Sequence, residues 1–402
     1  MRRVVASMLG AWLALAACSG EPTDRDAVTL IVWHAYRGAD QVSFEGALGR
    51  FDAATPGVHT RAVSIPYDAL PNKLSVAIPR GNGPDLFIFA HDRVGDWAET
   101  GALEPIGFWA DEALLDLFFR TTIDAWVYRG ELYGLPLAFK TLALYYDPVL
   151  VPTPPATTDA LIAQAKAARA RDPQVWGLAW YELDSLYFHA PWLHGFGGAV
   201  YADEDDTLAL TSPEAIASVA FVRRLLVDEK IIPEEATSAL VTSLFNDHRL
   251  AFVVNGPWFR AELGGNDRWA VAPLPRVSET GLPAKPFLGV EGVLMSARST
   301  HKREAFALMR FLTSDAEARG RLVDGGQLVA NQAPYADPAA AADPVARAFR
   351  AQVQDTVSLS NRPHMRRVWT PLKTALSQAI VHGKPPAEAL AEALAAIRRA
   401  GE

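Results

Sequence analysis

The chain contains a single cysteine, Cys18, among 402 residues. No disulfide framework can therefore staple it, and thiolate-rich metal sites are excluded. Basic runs are missing as well. Lys and Arg number 38 against 46 Asp and Glu, for a net charge of −8, and phosphate recognition needs clustered cations, so nucleic acid is not an expected partner. Catalytic signatures are equally scarce. There is no G-x-x-x-x-G-K-[ST] loop, no G-x-S-x-G elbow and no H-E-x-x-H, while Gly195-Phe196-Gly197-Gly198 departs from the dinucleotide pattern at its last glycine position. The nine histidines are scattered. His189 and His194 stand five apart on a predicted helix, which points them away from each other, so neither a metal nor a cofactor is expected. The acidic run Asp203 to Asp206 reads as a solvated turn.

What the chain does have begins at its start. Arg2 and Arg3 precede an apolar run from Val4 to Ala17, too short for a bilayer span and patterned as a secretory leader over residues 1–17. Leu15-Ala16-Ala17-Cys18 resembles the bacterial lipobox. That resemblance implies a cleaved signal peptide, a thiol carrying diacylglyceryl, an amide-linked acyl chain such as palmitate, and a lipoprotein anchored at Cys18. Each buried acyl methylene contributes about 0.8 kcal/mol, so several chains attach durably to a membrane. Residues 18–27 are polar and turn-rich, as befits a tether. The expected location is the periplasmic or cell-surface face of a bacterial membrane. The plainer alternative is a leader cut elsewhere, with Cys18 an ordinary small residue.

Half of the residues are hydrophobic, ample for stability from burial alone, and the length exceeds what one core usually serves. Short apolar runs at Val28–Trp33, Val58–Ile65 and Asp85–Ala90 alternate with helical patterns over 41–51 and 68–78. This is the rhythm of an α/β fold with parallel strands, whose carboxyl ends form a ligand crevice. A hairpin is expected around Tyr128–Gly134 and a hinge near Phe139–Thr141. Beyond it lie a helix over 159–171 capped by Thr157 or Thr158, a helix opened by Ser212-Pro213-Glu214, and strands at 250–254, 269–272 and 290–296. From Thr300 the chain reads as mostly helical, with Pro334–Asp343 as a surface loop or a further crossing.

The 11 tryptophans are mostly core material, yet several aromatics stand beside charged residues at element ends. A pyranose ring has an apolar face and a rim of hydroxyls, so its site needs flat aromatic rings together with charged hydrogen-bonding groups. Phe89 with Asp92 and Arg93, Tyr187 and Phe188 near Asp184, Trp258 after Asn255-Gly256-Pro257, and Trp369 after Arg366-Arg367 meet that requirement. Each aromatic has a packing role as its alternative.

The segments Gly83–Arg93, Tyr133–Ala138, Val254–Trp258 and Lys285–Val290 together resemble the maltose/maltodextrin-binding proteins of ABC importers, in order and in spacing, over nearly the whole chain after the leader. The resemblance implies a type II periplasmic-binding-protein-like fold, two lobes each with a mostly parallel sheet flanked by helices and a cleft between them. The expected division is 28–139 with 286–332 for the N-terminal lobe, and 140–285 with 333–402 for the C-terminal lobe. By matching position, Phe89 stands for a stacking tryptophan, Asp92 and Arg93 for the hydroxyl-binding pair, and Tyr187, Trp258 and Trp369 for aromatic platforms. Departures are instructive: Lys140 replaces an acid, Ser185 beside Asp184 replaces a carboxylate, and Tyr36 with Arg37 occupies the loop after strand one. The implied function is capture of a di- or oligosaccharide, of the maltose, maltodextrin or trehalose class, by a monomer that delivers it to the permease subunits of an ABC importer. Rival readings are an exported glycoside hydrolase using Asp92 or Asp184, and a binding protein that feeds a sugar sensor.

Overall fold

A computed structural model describes residues 27–67, 69–202, 207–264 and 268–400. Cys18, the leader, nearly all of the tether and the acidic run 203–206 lie outside these residues. Among the described residues no helix is long and apolar enough to cross a membrane.

The chain lays down two sheets. Strand β1 (Val28–His34) is followed by the helix Gly38–Ala54, then β2 (Val58–Ser64), the helix Leu70–Ala77 and β3 (Leu86–Ala90). Both crossovers return the chain in the same direction, so β2 and β3 flank β1 in parallel. Buried residues run through Leu86, Phe87, Ile88 and Phe89, as befits a strand covered on both faces. A two-stranded hairpin, β4 (Val127–Tyr128) and β5 (Glu131–Leu132), precedes β6 (Gly134–Lys140). Its turn holds Arg129 and Gly130 at φ 49° and 83°, the left-handed pair that closes a two-residue hairpin.

The second sheet begins immediately. It contains β7 (Ala143–Tyr146), β8 (Trp176–Ala179), β9 (Leu250–Asn255) and β10 (Ala270–Ala272), in the order β10-β7-β9-β8. Thr157 caps the helix Thr158–Arg171 by accepting from the Ala160 amide, and Ser212 caps Pro213–Val227 by accepting from the Ala215 amide. The chain then returns to the first sheet as β11 (Phe287–Met295), which runs antiparallel to β3 and β6. The helix Lys302–Leu312 packs on β11 and on the helix Gly38–Ala54. After the helix Pro344–Gln352 has packed on β10 and β7, β12 (Val357–Ser358) pairs in parallel with the start of β11.

The sheets are thus mixed. Only β8 and β9 are parallel in the second sheet; β7 and β10 run against their neighbours. The expectation of mostly parallel sheets fits β1–β3 and the pairs β8–β9 and β11–β12, while β3 and β6 run antiparallel to β11, β7 to β9 and β10 to β7. Residues 357–361, expected in the C-terminal lobe, bond to first-sheet elements: Asn361 donates to the Ala125 and Val127 carbonyls at 3.1 and 2.9 Å. Pro334–Asp343, expected as a loop, holds a 3-10 turn (Ala333–Ala336) and a short helix (Pro338–Ala342) whose N-cap is Asp337.

Candidate functional site

Both sheets direct strand ends toward one groove of about 570 Å³. The loop after β1 contributes Tyr36 and Arg37, the end of β6 contributes Lys140, the turn after β9 contributes Pro257 and Trp258, and β11 contributes Glu291. Carboxyl ends of parallel strands make such crevices because chains diverge there. Trp258 is 37% exposed, large for an indole. Its ring lies against its own turn: at Gly256 a Cβ would come within 2.2 Å of the indole, so a larger residue there would displace the ring. Tyr187 lies behind it, ring centroids 6.4 Å apart, and burial raises the Tyr187 phenol well above its ordinary pKa.

On the opposite wall Tyr67 covers Phe89, with ring centroids 4.6 Å apart and planes at 16°. Phe89 is 3% exposed and Tyr67 is 48% exposed. The sequence expectation of Phe89 as the stacking ring is therefore corrected: Phe89 is core, and the ring at the groove surface is Tyr67, contributed by the loop after β2. Phe188 is corrected likewise, being buried against Tyr181.

Asp92 and Arg93 stand on a 3-10 turn at the tip of β3. Asp92 is half-buried, desolvation pushes its carboxyl upward, and its Oδ1 has no protein partner. Arg93 donates to Asp96 at 3.3 Å, and Asp96 also accepts from Arg366 at 2.8 Å. That carboxylate ties the tip of β3 to the segment just before the helix Trp369–Leu376. Trp369 and Asp184 share a separate opening with Lys373 rather than the groove. Lys373 bonds Glu182 at 3.2 Å and lies 4.0 Å from Asp184.

Sequence reasoning overlooked Tyr67 and Glu291. Glu291 sits at the irregularity of β11 opposite Ala138, and its Oε1 accepts from the Tyr36 hydroxyl at 2.5 Å. Burial and this negative neighbour raise the Tyr36 phenol well above its ordinary pKa. Tyr67 had a legible signal, an aromatic after a strand and a proline; Glu291 had none, because a lone acid within an apolar run does not reveal which face it takes. Among the described residues no group of three or more His, Cys, Asp and Glu is placed to hold a metal.

Two α/β units with a ligand groove formed from strand ends of both define the class of extracytoplasmic solute-binding proteins. The chain matches the bacterial extracellular solute-binding protein family over residues 47–348. It is 31% identical over 373 residues to the maltotriose-binding protein of Pyrococcus abyssi, covering 91% of this chain and 80% of that one. It is 26% identical over 401 residues to the galactooligosaccharide-binding protein of Bacillus subtilis, covering 95% and 92%. A cyclo/maltodextrin-binding protein complexed with maltotetraose superposes with a TM-score of 0.85 at 30% identity, covering 95% of this chain and 98% of that one. The extracellular solute-binding protein of Staphylococcus aureus in complex with maltose gives 0.82 at 26% identity, covering 92% and 97%. The chain belongs to the maltose/maltodextrin-binding family of solute-binding proteins. Its role is that of a binding protein, and the relatives it matches are binding proteins rather than enzymes.

Proposed function

We propose that this protein is lipid-anchored at Cys18, captures a short α-glucoside in the groove, and hands it to an ABC importer. The observation that carries the reading is that two partly exposed rings, Trp258 and Tyr67, line the same groove. Between them a sugar ring finds the charged groups of Arg37, Lys140 and Glu291 in the groove, with Asp92 and Arg93 at the neighbouring tip of β3. Hydrogen bonds to charged groups contribute about 1.5–3 kcal/mol each. A few of these with two stacked rings reach the roughly −8 kcal/mol of micromolar affinity without any covalent step. Arg93, Arg37, Tyr36 and Tyr187 line or support the ligand, while Trp369 and Asp184 serve a separate opening.

On this reading the two lobes are 28–139 with 286–332 and 140–285 with 333–402, and the pairing of Val357 and Ser358 with β11 ties the second lobe to the first. Contacts from both lobes to one ligand favour the closed form, since a ligand shifts an open–closed equilibrium by its differential affinity for the two states. Closure is what the permease reads. The hydrolase alternative is weaker here, because the opening that Asp184 borders is not lined by Asp92, so the two carboxylates do not flank one scissile bond.

Isothermal titration with maltose, trehalose, maltotriose, galacto-oligosaccharide and sucrose tests this. Micromolar or tighter binding to one of them, with the sugar recovered intact, is expected. Release of reducing ends from maltodextrin, abolished in Asp92→Asn, would overturn it. Replacing Cys18 by Ala in the full chain should move the protein from the membrane fraction to the soluble one.

A further inference from the structure

The groove has a second chamber behind it. Tyr36, Asp40 and Gln327, which line the groove, also line a more enclosed cavity of about 190 Å³ between the helix Gly38–Ala54 and the helix Asp315–Val323. That volume corresponds to the share of about six waters, and a single pyranose ring is of the same size class. At its outer side Arg50 grips Glu317 with two hydrogen bonds of 2.9 and 2.6 Å. On the groove side Gln327 donates to Asp40 at 2.8 Å, an exposed hydrogen bond that opens at little cost.

The lining is incompletely satisfied. Arg321 donates one Nη1 bond to the Leu312 carbonyl at 2.8 Å, while its Nε and Nη2 are buried with no protein acceptor. The Gln327 Oε1 is buried without a donor. Buried donors and acceptors in folded proteins are almost always paired, with protein or with ordered water, so these three atoms mark a place for water or for the hydroxyls of a ligand. Charge narrows what that is. Arg50 and Arg321 face Asp40, Glu317 and Asp324 across the cavity, which disfavours an anion on balance, and the Arg321 guanidinium repels a cation. Phe44, Ala47 and Leu137 add apolar surface. A neutral ligand with hydroxyls on its rim and an apolar face fits all of these.

We propose that this chamber is a subsite for the terminal pyranose ring of an oligosaccharide lying in the groove, admitted when the Asp40–Gln327 hydrogen bond opens. The inference rests on the sugar-binding reading and deepens it, since it makes the protein prefer chains over disaccharides. Ser43 is exposed on the helix Gly38–Ala54 and lines the chamber, so Ser43→Trp plugs the space without removing a buried group. Titration should show maltose affinity unchanged within about twofold and maltotetraose affinity reduced at least about tenfold. Arg321→Met should repeat the loss, with its melting temperature measured alongside to separate unfolding from lost contacts. In a crystal structure with maltotetraose, a ring within hydrogen-bond distance of Arg321 supports the proposal, and ordered waters alone in the chamber overturn it. A wild-type protein that binds maltose and maltotetraose equally, or a plugged variant that keeps its preference, also overturns it while leaving sugar binding intact. Failure of the wild type to bind any sugar is a different result, and it removes the parent reading.

Discussion

Tyr67 and Phe89 share one stacked contact but face different surroundings, and the same truncation should act on them through different physics. Phe89→Ala empties a site that is 3% exposed, so it should cost about 3–5 kcal/mol in urea unfolding. Tyr67→Ala uncovers a ring at the groove edge, and should weaken sugar binding about fivefold or more with a small change in stability. Equal effects on binding from both would return Phe89 to the ligand surface. Trp258→Ala should weaken binding at least tenfold and leave the melting temperature nearly unchanged, because the indole is 37% exposed; collapse of the fold would make it a core residue instead. The legibility of these residues in the sequence differed for a physical reason. Asp92 and Arg93 could be found because they follow a continuous apolar run and therefore sit at a strand tip. Phe89 could not be separated from its cover, since Tyr67 is 22 residues upstream and no local pattern shows which ring is outermost.

At the level of elements, β11 is the part on which most others depend. It pairs with β3 on one side and with β6 along most of its length, and its first residues also pair with β12. Gly292 lies beside its irregularity, where a Cβ would meet the Leu135 carbonyl oxygen at 2.4 Å and the Trp126 ring at 2.4 Å. Neither neighbour can retreat, because Leu135 and Trp126 are both fully buried. Gly292→Ala should therefore destabilise by about 1–3 kcal/mol through overpacking, read as a lower urea midpoint. An unchanged midpoint would mean that the strand shifts to make room. The existence of β11 was legible as an apolar run; its direction was not. Hydrophobic periodicity records burial and spacing, and it carries no sign for parallel or antiparallel pairing. The same holds for β10. Helix starts were read more closely, since Thr157 and Ser212 carry their capping function in their own side chains.

For the whole molecule, the buried histidines set how far the fold tolerates acid. His189 is 2% exposed, its Nε2 lies 3.0 Å from Ser218 Oγ, and its Nδ1 has no partner. Desolvation lowers its pKa to about 3, and lowers that of His194, held by the Lys285 carbonyl at 2.7 Å, to about 4. An unfolded chain takes up a proton on each of them near pH 6.5, its ordinary value. Between about pH 6.5 and about pH 4 the unfolded state therefore binds more protons than the folded one, so stability is full above that window and drains as pH falls through it. Each group contributes a slope of up to about 1.4 kcal/mol per pH unit. His189→Gln keeps an amide donor for Ser218 and cannot protonate. Its melting temperature should lose less between pH 7 and pH 5 than that of the wild type, whatever its starting value. Parallel curves for the two proteins would show that His189 already charges in the folded state. Sugar at about a hundredfold over its dissociation constant adds roughly 2.7 kcal/mol to the folded side at any pH where it still binds. An acid-stressed sample should thus be rescued by the correct ligand and by no other sugar, which makes melting at pH 5 the most discriminating screen for what the groove holds.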